Sequence, residues 1–431
     1  MLRATKPLLT IMILISLPMA NHAAAQNSPS TLLLQLLDTV QFRHPCIQAY
    51  KQVRRIMPDV NQAWSLTNLN HRCVPTIRGI SPPIDLDDDG DPDYVVFRRG
   101  AGTKENDFSA PAESIFILRN YGSGEFGIEE QLNTKMYCRF CVTADFNNDG
   151  LDDMVSVGDH VLTTIDGVEQ RASPVGLLLQ NADGKLIDES LRLQDRVYAD
   201  WHGLSVADVD SDGDLDFVAL SLGKAAYAFE NDGSANFSLA SFDQSLKLAI
   251  DASMQFTAAL LIDINHDNFP DLVLGDGGGL DDSPIFVNDS RGFRLTEDKL
   301  NPEIPYSEGD ELITVTLDAL DITGDGCIDI VQNQVNYYVA DENYIVSWEG
   351  NCVGSFQLRS VNSYDGNWLR ESDVYDYNRD GLMDFLVYDE SGYVLFLNTG
   401  DGLQKFSGTK EEFQSMNNRI LLLNYSFISQ G

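Results

Sequence analysis

From residue 85 onward the chain alternates between two textures. Acidic, turn-rich segments lead directly into short runs of branched and aromatic residues: Tyr94–Phe97, Met154–Val157, Phe217–Leu220, Leu272–Leu274, Ile330–Val331 and Phe385–Tyr388. Runs of this length and composition predict β-strands. A further apolar run follows each and stops at a polar turn: Phe116–Gly122, Leu177–Gly184, Tyr227–Gly233, Ile285–Asn288, a looser Val346–Asn351, and Val394–Gly400. Asn and Gly suit such turns because they tolerate positive φ. An aromatic or leucine comes next, at Phe126, Leu186, Phe237, Phe293, Phe356 and Phe406. Each unit therefore predicts about four short strands, one antiparallel sheet that could not bury both of its faces alone.

Helical periodicity is found ahead of these units. Leu32, Leu33, Leu36, Leu37 and Val40 follow Ser28-Pro29-Ser30 at helical spacing, and Ile47, Tyr50, Val53 and Ile56 form a second stripe beside Lys51, Arg54 and Arg55. Before that lies a basic start (Arg3, Lys6), an apolar stretch from Leu8 to Ala20, and the small residues Ala23-Ala24-Ala25. That order is the pattern of a secretory signal, and the apolar run is short for a membrane span of about 20 residues. The expected organisation is a signal peptide at 1–25, a helical segment at 26–75 and the repeats at 76–431.

Aligned on their acids, the six segments share the pattern D-x-[DNT]-x-D-[GN]-x-x-D. Positions 1, 3, 5, 7 and 9 are Asp85, Asp87, Asp89, Asp91 and Asp93 in the first copy, and Asp145, Asn147, Asp149, Leu151 and Asp153 in the second. They are Asp208, Asp210, Asp212, Asp214 and Asp216 in the third, and Asp263, Asn265, Asp267, Phe269 and Asp271 in the fourth. The fifth has Asp321, Thr323, Asp325, Cys327 and Asp329, and the sixth Asp376, Asn378, Asp380, Leu382 and Asp384. Successive copies start 60, 63, 55, 58 and 55 residues apart. A period of this size signals a stack of similar sheets, and the expected fold is an all-β propeller of six four-stranded blades, or seven if the two ends combine. Ile420–Leu423 is a candidate closing strand.

Calcium takes six to eight oxygen ligands at about 2.3–2.6 Å. Side chains at positions 1, 3, 5 and 9 with the backbone carbonyl of position 7 supply such a set, and Gly at position 6 allows the bend. A helix would have to follow in an EF-hand, with Glu at position 12. Here a strand follows, and position 12 of the first copy is Val96. Up to six Ca²⁺ are expected. Copies one and three, with four carboxylates, should hold the ion most tightly; the fifth, with neutral Thr323, should hold it less well. Asn268 stands where the fourth copy would have Gly, and Asn also reaches positive φ.

With these segments the chain resembles the FG-GAP/VCBS-type repeat proteins, which include the propeller of integrin α-subunits. The resemblance runs from about residue 80 to about 406. It implies the same ligand positions, calcium loops in the blades, and recognition by loops on one face. Some propellers with similar loops are polysaccharide lyases, which leaves an enzymatic alternative.

Charge and cysteine content narrow the setting. The formal charge of −37 disfavours binding to nucleic acid or to an anionic membrane. Six cysteines in an exported chain favour disulfides, and proximity suggests Cys46–Cys73, Cys138–Cys141 and Cys327–Cys352. No G-x-S-x-G, H-E-x-x-H, P-loop or dinucleotide motif is present. His44, His71, His160, His202 and His266 are scattered, and Trp64, Trp201, Trp348 and Trp368 read as core or rim residues. The expectation is a non-enzymatic module that binds a protein or glycan, acts in adhesion or as a scaffold, and is secreted, periplasmic or on the cell surface, with no membrane span after signal cleavage.

Overall fold

The structure, a computed structural model, describes most residues from 77 to 407. Residues 1–76, 408–431 and several loops, including 88–92, 100–111 and 241–254, lie outside the described residues. The expected signal, the segment 26–75, Cys46, Cys73, Cys138, Trp64, Trp368 and the run 420–423 therefore fall outside them too.

The described strands form six four-stranded antiparallel sheets, with two additional two-stranded pairings. Sheet 1 is Ile77–Ile80, Tyr94–Arg99, Ala112–Asn120 and Phe126–Leu132. Sheet 2 is Phe140–Ala144, Asp153–Val157, Gly176–Gln180 and Leu186–Asp188. Sheet 3 is Trp201–Ala207, Asp216–Ser221, Ala225–Asn231 and Phe237–Leu239. Sheet 4 is Phe256–Ile262, Asp271–Asp276, Ser283–Asn288 and Phe293–Leu300. Sheet 5 is Leu312–Leu320, Asp329–Asn336, Asn343–Gly350 and Phe356–Tyr364. Sheet 6 is Glu371–Tyr375, Asp384–Asp389, Gly392–Asn398 and Leu403–Lys405. Strands in each sheet follow chain order; sheet 2 carries the hairpin Leu162–Ile165/Val168–Arg171 between its second and third strands.

The second strands show how the sheets are covered. Along Asp216–Ser221, Phe217 and Ala219 pack with sheet 2, whereas Val218 and Leu220 pack with sheet 4. Leu272 and Leu274 turn toward sheet 3, and Val273 between them joins Ile330 and Trp348 of sheet 5. The period of two thus sends alternate side chains into two different cores. Both faces are buried, which is why these strands read as continuous apolar runs. Five such cores are each shared by two consecutive sheets. Each buried Leu, Val or Phe contributes about 1.5–3 kcal/mol relative to exposure.

First strands of neighbouring sheets also touch in series, from Phe140–Ala144 through Trp201–Ala207, Phe256–Ile262 and Leu312–Leu320 to Glu371–Tyr375. The sheets stand radially about an axis lined by these strands. The architecture is a β-propeller with six blades among the described residues. Trp201 and Trp348 are buried, their indoles bonded to Ser173 O at 2.7 Å and Gln332 Oε1 at 3.0 Å. Among the described residues the helical structure is a single turn, Ser190–Arg192, and no helix is long and apolar enough to cross a membrane.

Candidate metal centres

Every acidic segment lies between the first and second strands of its blade. In blade 2 the carboxylate of position 1 closes the turn on itself: Asp145 Oδ1 accepts from Asp149 N at 3.1 Å and Oδ2 from Gly150 N at 2.8 Å. Asn147 Oδ1 accepts from Asp149 N at 3.0 Å, and Asp149 Oδ1 accepts from Leu151 N at 2.9 Å. Blades 3, 4 and 6 repeat all four bonds, at Asp208, Asp210 and Asp212, at Asp263, Asn265 and Asp267, and at Asp376, Asn378 and Asp380. Blade 5 makes the Asp321 and Asp325 bonds; its third position, Thr323, has no amide oxygen.

In blades 2 to 6 two residues per loop adopt positive φ. Position 6 does so as foreseen, at Gly150, Gly213, Gly326 and Gly381 and also at Asn268 (φ 71°). Position 4 does so as well, at Asn148, Ser211, His266, Gly324 and Arg379. Sequence inspection missed this, because position 4 varies freely in residue type.

Positions 2 and 9 anchor the loop. Position 2 is buried in all six blades, as Leu86, Phe146, Val209, Ile264, Ile322 and Tyr377. Its uniform apolarity was visible in the sequence. Position 9 is also buried, and its carboxylate spans two strands. Asp216 Oδ2 accepts from Val209 N at 2.9 Å, and Oδ1 from Asn231 N, at the end of the third strand, at 2.8 Å. Asp153, Asp271, Asp329 and Asp384 make the same pair of bonds. Burial pushes Asp153, Asp216 and Asp271 up to about 7, against the backbone donors, and raises Asp329 and Asp384 for the same reason. A carboxylate so placed stays ionised readily only beside a positive charge.

In blade 3, carboxylate oxygens of Asp208, Asp210 and Asp216 lie within 4.8 Å of one another, and Asp85, Asp87 and Asp93 do the same in blade 1. Asp212 is outside that group: it is exposed and caps Asp214 N. The Asp214 side chain instead accepts from Asn148 Nδ2 of blade 2 at 2.7 Å, so position 7 can offer the cage only its backbone. Asp89 and Asp91 lie outside the described residues. In the other blades position 3 is Asn147, Asn265, Thr323 or Asn378, and the Thr323 hydroxyl is buried with no hydrogen-bond partner. An orphaned oxygen beside carboxylates is the donor set of a hard cation, and the residues present fit calcium. Blade 1 differs: buried Arg119 places Nη1 2.6 Å from Asp93 Oδ2 and 3.7 Å from Asp87 Oδ2.

The turn asparagines tie one blade to the one before. Asn231 Nδ2 donates to Phe146 O at 2.8 Å, and Asn288 Nδ2 to Val209 O at 2.7 Å. In blade 2 this place is taken by a glutamine. Gln180, not Asn181, faces Leu186 and donates its N–H to Asp153, while its amide lies 3.4 Å from Leu86 O. In blade 6 Asn398 pairs with Leu403. In blade 5 this place is Gly350, where a Cβ would lie 2.0 Å from Ile328 O. No side-chain clasp is possible there, and the disulfide Cys327–Cys352 joins the acidic loop to the turn. Cys141 is disulfide-bonded too.

Residues 85–156 and 208–274 match the model of the FG-GAP-like repeat. The chain carries FG-GAP-like repeats. No curated protein sequence matches it. Among solved structures, the chain is similar to an Agrocybe aegerita lectin described as recognising non-reducing terminal N-acetylglucosamine, with 16% identity over 77% of this chain and 79% of the other and a TM-score of 0.48. It is also similar to the periplasmic gluconolactonase of Pseudomonas aeruginosa, with 14% identity over 73% and 81% of the two chains and a TM-score of 0.49. A rhamnogalacturonan lyase, YesW, matches at 13% identity over 78% and 58%, with a TM-score of 0.38. At these values none says what this chain binds or does.

Proposed function

We propose that this protein is an exported calcium-binding propeller that acts as a protein- or glycan-binding, adhesion or scaffold module, and not as an enzyme. The recurrence of one oxygen-lined loop at the same place in blades 2 to 6 carries the reading, with the convergence of Asp208, Asp210 and Asp216 within 4.8 Å as its best-formed instance. Calcium in these loops neutralises buried carboxylates and fixes the start of each second strand. Its role is to hold shape, because the loop oxygens are already committed to closing the turn. Each site at about 100 times its Kd would add about 2.7 kcal/mol to stability.

The test is a melt before and after chelation, followed by a glycan and protein binding screen with and without calcium. The melting temperature should fall on confirmed calcium removal and return on its addition, and binding to a retained ligand should follow. A melt indifferent to calcium counts against the metal. Release of unsaturated products from uronic-acid polymers would replace the binding role with lyase chemistry.

A further inference from the structure

The blades differ at a third-strand residue outside the repeat pattern. It lies one place before the third-strand residue that faces the start of the fourth strand. The β-ladders put Arg119 there in blade 1, followed by Leu179, Glu230, Val287, Glu349 and Leu397 in blades 2 to 6. Blade 1 is thus the one blade with a base at this place; the rest carry aliphatic or acidic residues. Arg119 is 6% exposed, and its guanidinium donates to the buried Asp93 carboxylate and lies beside Asp87. Asp93 and Asp87 are two of the three carboxylates that converge in that loop. In blade 3 the same place has the opposite sign, and the charge of Glu230 acts on Asp210.

We propose that Arg119 is the built-in cation of blade 1, so that this blade closes its acidic loop without a divalent ion while blades 2 to 6 require one. The inference rests on the calcium reading above. A guanidinium offers hydrogen bonds with its charge, satisfying the buried Asp93 oxygen more directionally than a hydrated ion could. A calcium ion entering the same group would meet a fixed positive charge at close range, and the like-charge repulsion opposes its binding. Four carboxylates in blade 1 therefore do not make it a strong site.

Native mass spectrometry of the mature chain in calcium counts bound ions directly. Arg119→Met removes the internal cation at similar length and should bind one calcium more than the wild type, with a folded circular dichroism spectrum. Glu230→Arg installs a cation in blade 3 and should bind one fewer; it decides the matter if Arg119→Met does not fold. An unchanged count in a folded Arg119→Met, or in Glu230→Arg where that variant decides, overturns the inference while leaving calcium binding intact. A wild type that takes up no calcium overturns the calcium reading and this inference together.

Discussion

Blades 3 and 5 hold the same acidic loop by different means. In blade 3 the loop is rich in charge, with Asp208, Asp210 and Asp216 drawn together. It is tied to its neighbour by the Asn231 amide, which donates to Phe146 O at 2.8 Å and Leu215 O at 3.1 Å. In blade 5 the third ligand position is a threonine hydroxyl, the clasp position is Gly350, and the disulfide Cys327–Cys352 bridges loop and turn. The comparison separates two jobs that the repeat pattern merges. Bringing carboxylate oxygens together is the work of positions 1, 3 and 9. Fixing the loop to the rest of the propeller falls to the third-strand turn, and a covalent bond can stand in for an amide there.

The largest expected effect comes from breaking that bond. Cys327→Ser with Cys352→Ser should lower unfolding free energy by about 3 kcal/mol in urea titrations, since the bridge closes a loop of 25 residues. A loss under about 1 kcal/mol would mean that blade 5 is held by its ladder alone. Asn231→Ala comes next, at about 2 kcal/mol, because it strips the donor from buried carbonyls. The matched control is Asn398→Ala in blade 6, where the amide nitrogen has no partner, and the cost should be under about 1 kcal/mol. Equal losses at the two sites would refute the clasp. Exchanging the third position tests the other job. Thr323→Asp should tighten calcium at blade 5 by about tenfold, worth about 1.4 kcal/mol, and Asp210→Thr should loosen blade 3 by a similar factor in calorimetry. The smallest effect is on the backbone. His266 is exposed at φ 61°, so His266→Gly should raise the melting temperature slightly, by less than about 1 kcal/mol in stability.

Much of this was legible in the residues. The second strands were located by their branched runs, and position 6 by its Gly or Asn. The pairing of Cys327 with Cys352 followed from proximity and is present. The pairing of third and fourth strands was not legible: Gln180 faces Leu186 and Asn398 faces Leu403, because a side chain at the end of a strand can be glutamine as well as asparagine. Arg119 went unremarked, since nothing in its sequence neighbourhood sets it apart from any other strand residue. Its role depends on being folded back over a loop that ends 26 residues earlier.

Local chemistry explains where the line falls. Strand, turn and oxygen-rich loop are each decided within about nine residues by backbone preference and side-chain type, and repetition multiplied the signal sixfold. Which carboxylates are buried, which amide reaches the preceding blade and which cation sits in the first cage depend on groups brought together across blades. Burial and charge act through space, so those features were settled only when the sheets closed on one another.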